Sequence, residues 1–97
     1  MAKGYWIAAY RSISDPSKAA AYGEAARPVL KAAGGQFLAR SNDVTAFESG
    51  LEQRIVVIEF PSRQAAVDAY QSEAYQRALK LLDGGAERDL RIVDGVD

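Results

Sequence analysis

A chain of 97 residues in which 48% are hydrophobic and 26% charged has the ordinary globular balance, which excludes the disordered and fibrous classes and fits a single domain over residues 1–97. A formal net charge of -1 leaves no basic field to neutralise phosphates, so no nucleic acid partner is expected. With neither cysteine nor histidine, disulfides, thiolate nucleophiles, Ser-His-Asp and Cys-His catalysis, His-ligated zinc and haem held by either residue are removed, and carboxylates, Tyr, Lys, Arg, Ser and Thr remain for any chemistry.

Tyr5–Tyr10 (YWIAAY) is rich in aromatic and apolar residues and reads as a first strand, with Tyr5, Ile7 and Ala9 on one face and Trp6, Ala8 and Tyr10 on the other. Ser14 or Asp15 offers an N-cap with Pro16 just inside, and the Ala-rich run from Lys18 to Ala33 carries Leu and Val at helical spacing. Pro28 removes a backbone donor within that run and is expected to kink or divide the helix, which Gly34-Gly35 then ends. Gln36–Arg40, a break at Ser41-Asn42-Asp43 and Val44–Glu48 read as one interrupted strand, with the turn at 49–52. Arg54–Phe60 is its return strand and the strongest β signal in the chain, because its middle is almost wholly β-branched.

Pro61 stops that strand, Ser62 caps a second helix through Tyr70, and Ser72-Glu73-Ala74-Tyr75 restarts helical character as far as Leu82. Gly84-Gly85 closes the segment, and Asp89–Val96 is a last strand. No stretch approaches the roughly 18 apolar residues of a membrane span, so no membrane partner is expected and the cytoplasm is the default location.

The order βαββαβ belongs to the α+β class, ferredoxin-like, with helices on one face of an antiparallel sheet. That leaves the other face, bearing Ile55 and Val57, in need of a cover, and a second copy of the same sheet is the simplest one. The expected assembly is a homodimer whose paired sheets enclose a cavity.

Two sets of residues are candidates for a site in that cavity. Arg40 and Glu59 are nominated as catalytic: the hairpin places Glu59 opposite the region of Asp43, within diagonal reach of Arg40 and on the face of Ile55 and Val57. Burial and a neighbouring guanidinium act oppositely on such an acid, and their balance decides whether it serves as a general base. The competing account is a structural ion pair that fixes the hairpin or the dimer. Tyr5, Trp6, Tyr10, Tyr70 and Tyr75 are nominated to line the pocket for a flat or apolar ligand, against the alternative of plain core or interface packing. Asp43, Glu48 and Asp94 match no ligand spacing, so no metal is assigned, and the paired glycines belong to no phosphate loop.

Gly4-Tyr5-Trp6-Ile7-Ala8, Asp15-Pro16, Gly34 to Arg40, Val57 to Ser62, Ser72 to Gln76 and Ile92 to Val96 together resemble the domain-of-unknown-function thirteen-thirty family across nearly the whole chain. The resemblance implies a dimeric α/β barrel, two ferredoxin-like sheets packed face to face, and no established activity. Near Gln71 and Leu82 the chain departs from the family pattern, which has a histidine and an arginine close to those places.

The function expected is binding or transformation of a small organic molecule in the dimer cavity, with no cofactor called for. If the protein is an enzyme, the fold analogy points to cofactor-free isomerase, lyase or oxygenase chemistry. The alternative is a non-catalytic structural or interaction protein whose buried polar residues only specify the dimer. RNA binding of the RRM kind and acylphosphatase activity share the βαββαβ order, but their signatures are missing.

Overall fold

The structure is a computed structural model that describes residues 2–97. Four strands, β1 (Gly4–Ile13), β2 (Gln36–Ser41), β3 (Ile55–Phe60) and β4 (Ala86–Asp94), form one antiparallel sheet in the order β2-β3-β1-β4. Helices α1 (Pro16–Ala32), α2 (Arg63–Gln71) and α3 (Glu73–Lys80) complete the ferredoxin-like order. Among the described residues no helix is long and apolar enough to cross a membrane.

Period two divides the sheet into two unlike faces. Trp6, Ala8 and Tyr10 of β1 and Val56, Ile58 and Phe60 of β3 are buried, while Tyr5, Ile7, Ala9, Ile55, Val57 and Glu59 between them are only half-buried. The buried set meets Tyr22, Ala26 and Leu30 of α1, spaced four apart along one stripe, and Ala66, Ala69, Tyr75 and Ala78 of α2 and α3. Small alanines on the helices let them approach a sheet whose bulk comes from aromatics: Trp6 packs against Tyr75 edge to face with centroids 5.1 Å apart and stacks on Phe60 at 6.1 Å.

The helix ends follow their local chemistry. Asp15 caps α1, its Oδ1 accepting from the backbone N–H groups of Ser17 and Lys18, and Ser62 caps α2 through Ala65 N–H. Ser72 ends α2 and caps α3 at once: its extended backbone, with φ -67° and ψ 149°, turns the chain, and its hydroxyl oxygen accepts from Tyr75 N–H. Lys18 ties the start of α1 to the turn after α3 through Asp83, 3.0 Å away.

Three expectations are corrected. α1 runs undivided through Pro28, because Pro28 and Glu24, whose carbonyl loses its donor there, both lie on the exposed side of the helix. Val44–Glu48 is not a strand: β2 ends at Ser41, whose hydroxyl accepts from Asp43 N–H, and a long connection leads to Ile55 with Glu48 in the left-handed region at φ 55°. The third concerns β4, which starts at Ala86 instead of Asp89 and pairs with a β1 extended to Ile13, past an irregularity between Tyr10 and Ser12.

Candidate functional site

A cavity of about 420 Å³ opens between α1 and the helix-facing side of the sheet. Its floor is Trp6, Tyr10, Phe37, Val56 and Ile58, and Tyr22 and Ala26 close it from α1. The charged groups around it are Arg27, Arg40, Arg54 and Arg88 against the single carboxylate of Glu24. This is the side of the sheet opposite to that expected for a site, for which Ile55, Val57 and Glu59 were to form the wall.

Arg88 stands at the deep end. It lies opposite Tyr10 in the β1–β4 pairing, so it shares the helix-facing side with Leu90 and Ile92. Its guanidinium carbon sits 4.9 Å from the Tyr22 ring centroid and 5.7 Å from that of Tyr10, in cation–π range of both. Nη1 donates to Tyr22 Oη at 3.0 Å and Nη2 to Tyr75 Oη at 3.3 Å, and the two phenol oxygens are themselves hydrogen-bonded at 2.7 Å. Burial above all, with the neighbouring Tyr75, pushes the Tyr22 hydroxyl far above the ordinary tyrosine range. Burial opposes the charge on Arg88, but the two phenol oxygens outweigh it and the guanidinium is held more firmly protonated than usual.

The nominated catalytic pair is not brought together. A bulge between Phe37 and Ala39 adds one residue to β2, so Ala39 faces Val57 and Arg40 faces Val56. Without that extra residue, the register counted one residue at a time from the Phe37–Ile58 pair would put Arg40 opposite Ile55, on the face of Glu59. Arg40 instead reaches over the Phe37 ring, 5.7 Å from its centroid, at the edge of the cavity. Glu59 lies opposite Gln36 on one side and Tyr5 on the other, and Tyr5 Oη donates to Glu59 Oε2 at 3.0 Å. That bond, more than the carboxylate's charge, raises the Tyr5 hydroxyl above its usual range.

Of the five nominated aromatics, Trp6 and Tyr10 line the cavity, and Tyr75 lies beneath it, fully buried and joined to it through Tyr22 and Arg88. Tyr5 is on the open face, and Tyr70 packs against Trp6 and lines a separate recess of about 250 Å³ between α2 and β4. Tyr22, Arg54 and Arg88 belong to the cavity and were not nominated. Tyr22 could have been found as the polar member of the Tyr22, Ala26, Leu30 stripe, and Arg88 as the charged member of the alternation Arg88, Leu90, Ile92, had β4 been read from Ala86.

Residues 3–96 match the sequence pattern of the domain of unknown function DUF1330. The chain belongs to that family. No curated protein matches it. Among solved structures, the chain is similar to a protein of unknown function from Rhodopseudomonas palustris, with a TM-score of 0.76 and 18% identity over 99% of this chain and 84% of that one. A proposed antibiotic biosynthesis monooxygenase from Nitrosomonas europaea superposes with a TM-score of 0.59 at 12% identity, covering 98% of this chain and 90% of its own. An ethd family protein from Bacillus halodurans gives 0.63 at 14% identity over 99% of this chain and 100% of that one. Likeness at such identities carries the ferredoxin-like fold alone.

Proposed function

We propose that the protein is a cytoplasmic, single-domain homodimer, each subunit of which binds a small organic molecule in the cavity between α1 and the sheet. The observation that carries the binding site is the cavity itself: about 420 Å³ is the size of pocket that holds a small ligand, and an aromatic floor beside a few convergent polar groups is how such pockets are built. The likeness to oxygenase-type proteins supports a ligand-binding fold and not a particular reaction, so the proposal is binding.

The homodimer rests on the open face, where Ile7, Ala9, Ile55 and Val57 form a half-buried apolar surface continued by Val93, which is 48% exposed. Tyr5 and Glu59 form a polar pair on that surface, and their assigned role is to fix how two sheets meet.

Binding is tested by screening small organic molecules against the thermal midpoint and against the fluorescence of Trp6, the single tryptophan, which is 1% exposed and part of the cavity floor. Ligands are expected to shift both signals, and Ala20→Phe at the cavity's edge or Val56→Phe in its floor should weaken every one of them. If no molecule shifts either signal, or if both substitutions leave binding untouched, the proposal fails.

A further inference from the structure

We infer that the cavity takes an organic anion, an aromatic or alkyl carboxylate whose charged end docks on Arg88 and Tyr22 while its apolar body lies on Trp6, Tyr10 and Phe37. The inference rests on the binding site proposed above and names the class of its ligand.

Protons outnumber lone pairs where Arg88 and Tyr22 meet the cavity. A guanidinium has five N–H donors and no acceptor. Arg88 spends one on Tyr22 and one on Tyr75, and among the described residues it has no carboxylate within salt-bridge distance. Three donors on a half-buried cation remain without a protein partner.

The tyrosine pair supplies the next donor. One of the two phenols must give its proton to the other across their 2.7 Å contact. Tyr75 is fully buried, and no further acceptor meets its hydroxyl among the described residues, so a proton pointing away from Tyr22 would be orphaned there. The arrangement that wastes nothing has Tyr75 donate to Tyr22. Both lone pairs of Tyr22 are then taken, one by Tyr75 and one by Arg88, and its own O–H is left over on the residue that lines the cavity. The hydroxyl stays protonated, because burial holds its ionisation far above the ordinary range.

Arg88 and Tyr22 together therefore present donors with no acceptor between them. Such a corner favours a carboxylate, whose oxygens are acceptors only and form charge-assisted bonds, over amides and alcohols, which offer a neutral acceptor and bring a proton with no partner there. Arg40 and Arg54 at the cavity's edge add the same sign of charge, opposed by Glu24 alone, and so favour entry of an anion.

The test is isothermal titration calorimetry of the full-length protein with 2-naphthoate and its uncharged isostere 2-naphthamide. The acid is expected to bind about tenfold more tightly than the amide, as a charge-assisted contact on a half-buried cation implies. That preference should collapse in Arg88→Gln, persist in part in Arg88→Lys, and shrink in Tyr22→Phe. Should Arg88→Gln fail to fold, Tyr22→Phe decides by itself. If both probes bind alike, or if the acid's advantage is unchanged in the substituted proteins, the anion inference is overturned while the cavity remains a binding site. If neither probe binds at millimolar concentration, the anion inference is overturned, and the screen on Trp6 fluorescence and the thermal midpoint decides the binding site by itself.

Discussion

The hydroxyl of Tyr22, from the middle of α1, lies 2.7 Å from that of Tyr75, from the start of α3, although the two residues are 53 positions apart. Arg88 of β4 bonds both oxygens, so three elements are locked by one polar cluster within an otherwise apolar core. Its proton arrangement sets the order of two substitutions. Tyr22→Phe deprives the buried Tyr75 hydroxyl of its acceptor and should cost about 1–3 kcal/mol, whereas Tyr75→Phe leaves a lone pair on Tyr22 beside the cavity and should cost about 1 kcal/mol. Urea unfolding measures both, and a Tyr75→Phe penalty equal to or above that of Tyr22→Phe would reverse the assignment of donor and acceptor.

The same cluster predicts alkaline behaviour. The folded-state pKa of Tyr22 is raised above its unfolded value of about 10, so its contribution to stability is complete below that pH and is lost as pH rises beyond it. Absorbance titration should show Tyr22 silent until the chain unfolds, and Tyr22→Phe should flatten the fall in stability above about pH 10. An unchanged alkaline limb in the variant would contradict this.

Asp15 acts at the other end of the scale. The Ser17 hydroxyl and the backbone N–H of Lys18 hold its carboxylate below the usual range, so its capping contribution is present above an unfolded value of about 4 and lost as pH falls through the lower folded value. Asp15→Asn keeps an acceptor at every pH and should therefore lose less stability than the native chain between pH 4 and acid unfolding, as followed by circular dichroism. Parallel acid limbs would show that the cap contributes nothing that titrates.

Glu59 and the cavity occupy opposite sides of the sheet, which separates two substitutions that the hairpin alone would link. Glu59→Gln should leave ligand binding at the Trp6 side unchanged, while Arg54→Gln should weaken it without altering assembly. Assembly itself is read by sedimentation: a dimer at micromolar concentration is expected, and Val57→Asp on the open face should yield monomers. A native chain that sediments as a monomer removes the homodimer.

Two glycines should respond differently to alanine. A Cβ on Gly4 would run into the backbone of Ser62 and Arg63 where β1 passes the start of α2, so Gly4→Ala should cost about 1–3 kcal/mol or more by overpacking. Gly84 has open space around it and only its φ of 73° to lose, so Gly84→Ala should cost roughly 1 kcal/mol. Thermal unfolding of the two variants checks the order.

Most of the fold was legible along the chain, because strands such as Ile55–Phe60 and the capped start of α1 are decided by neighbours a few residues away. The family was legible too, since its motifs are spread in order over the chain. What lay beyond reach was which side chains meet. One extra residue in β2, with no proline or glycine to mark it, moved Arg40 from the face of Glu59 to the face of Trp6, because side-chain direction in a strand inverts with every residue. Likewise nothing within Tyr22, Tyr75 or Arg88 announces the other two: they meet only when α1, α3 and β4 pack on the same side of the sheet. Local chemistry determined the elements, their order and the absence of histidine and cysteine chemistry. Tertiary packing alone decided that the cavity lies under α1 and that Arg88, not Glu59, stands in it.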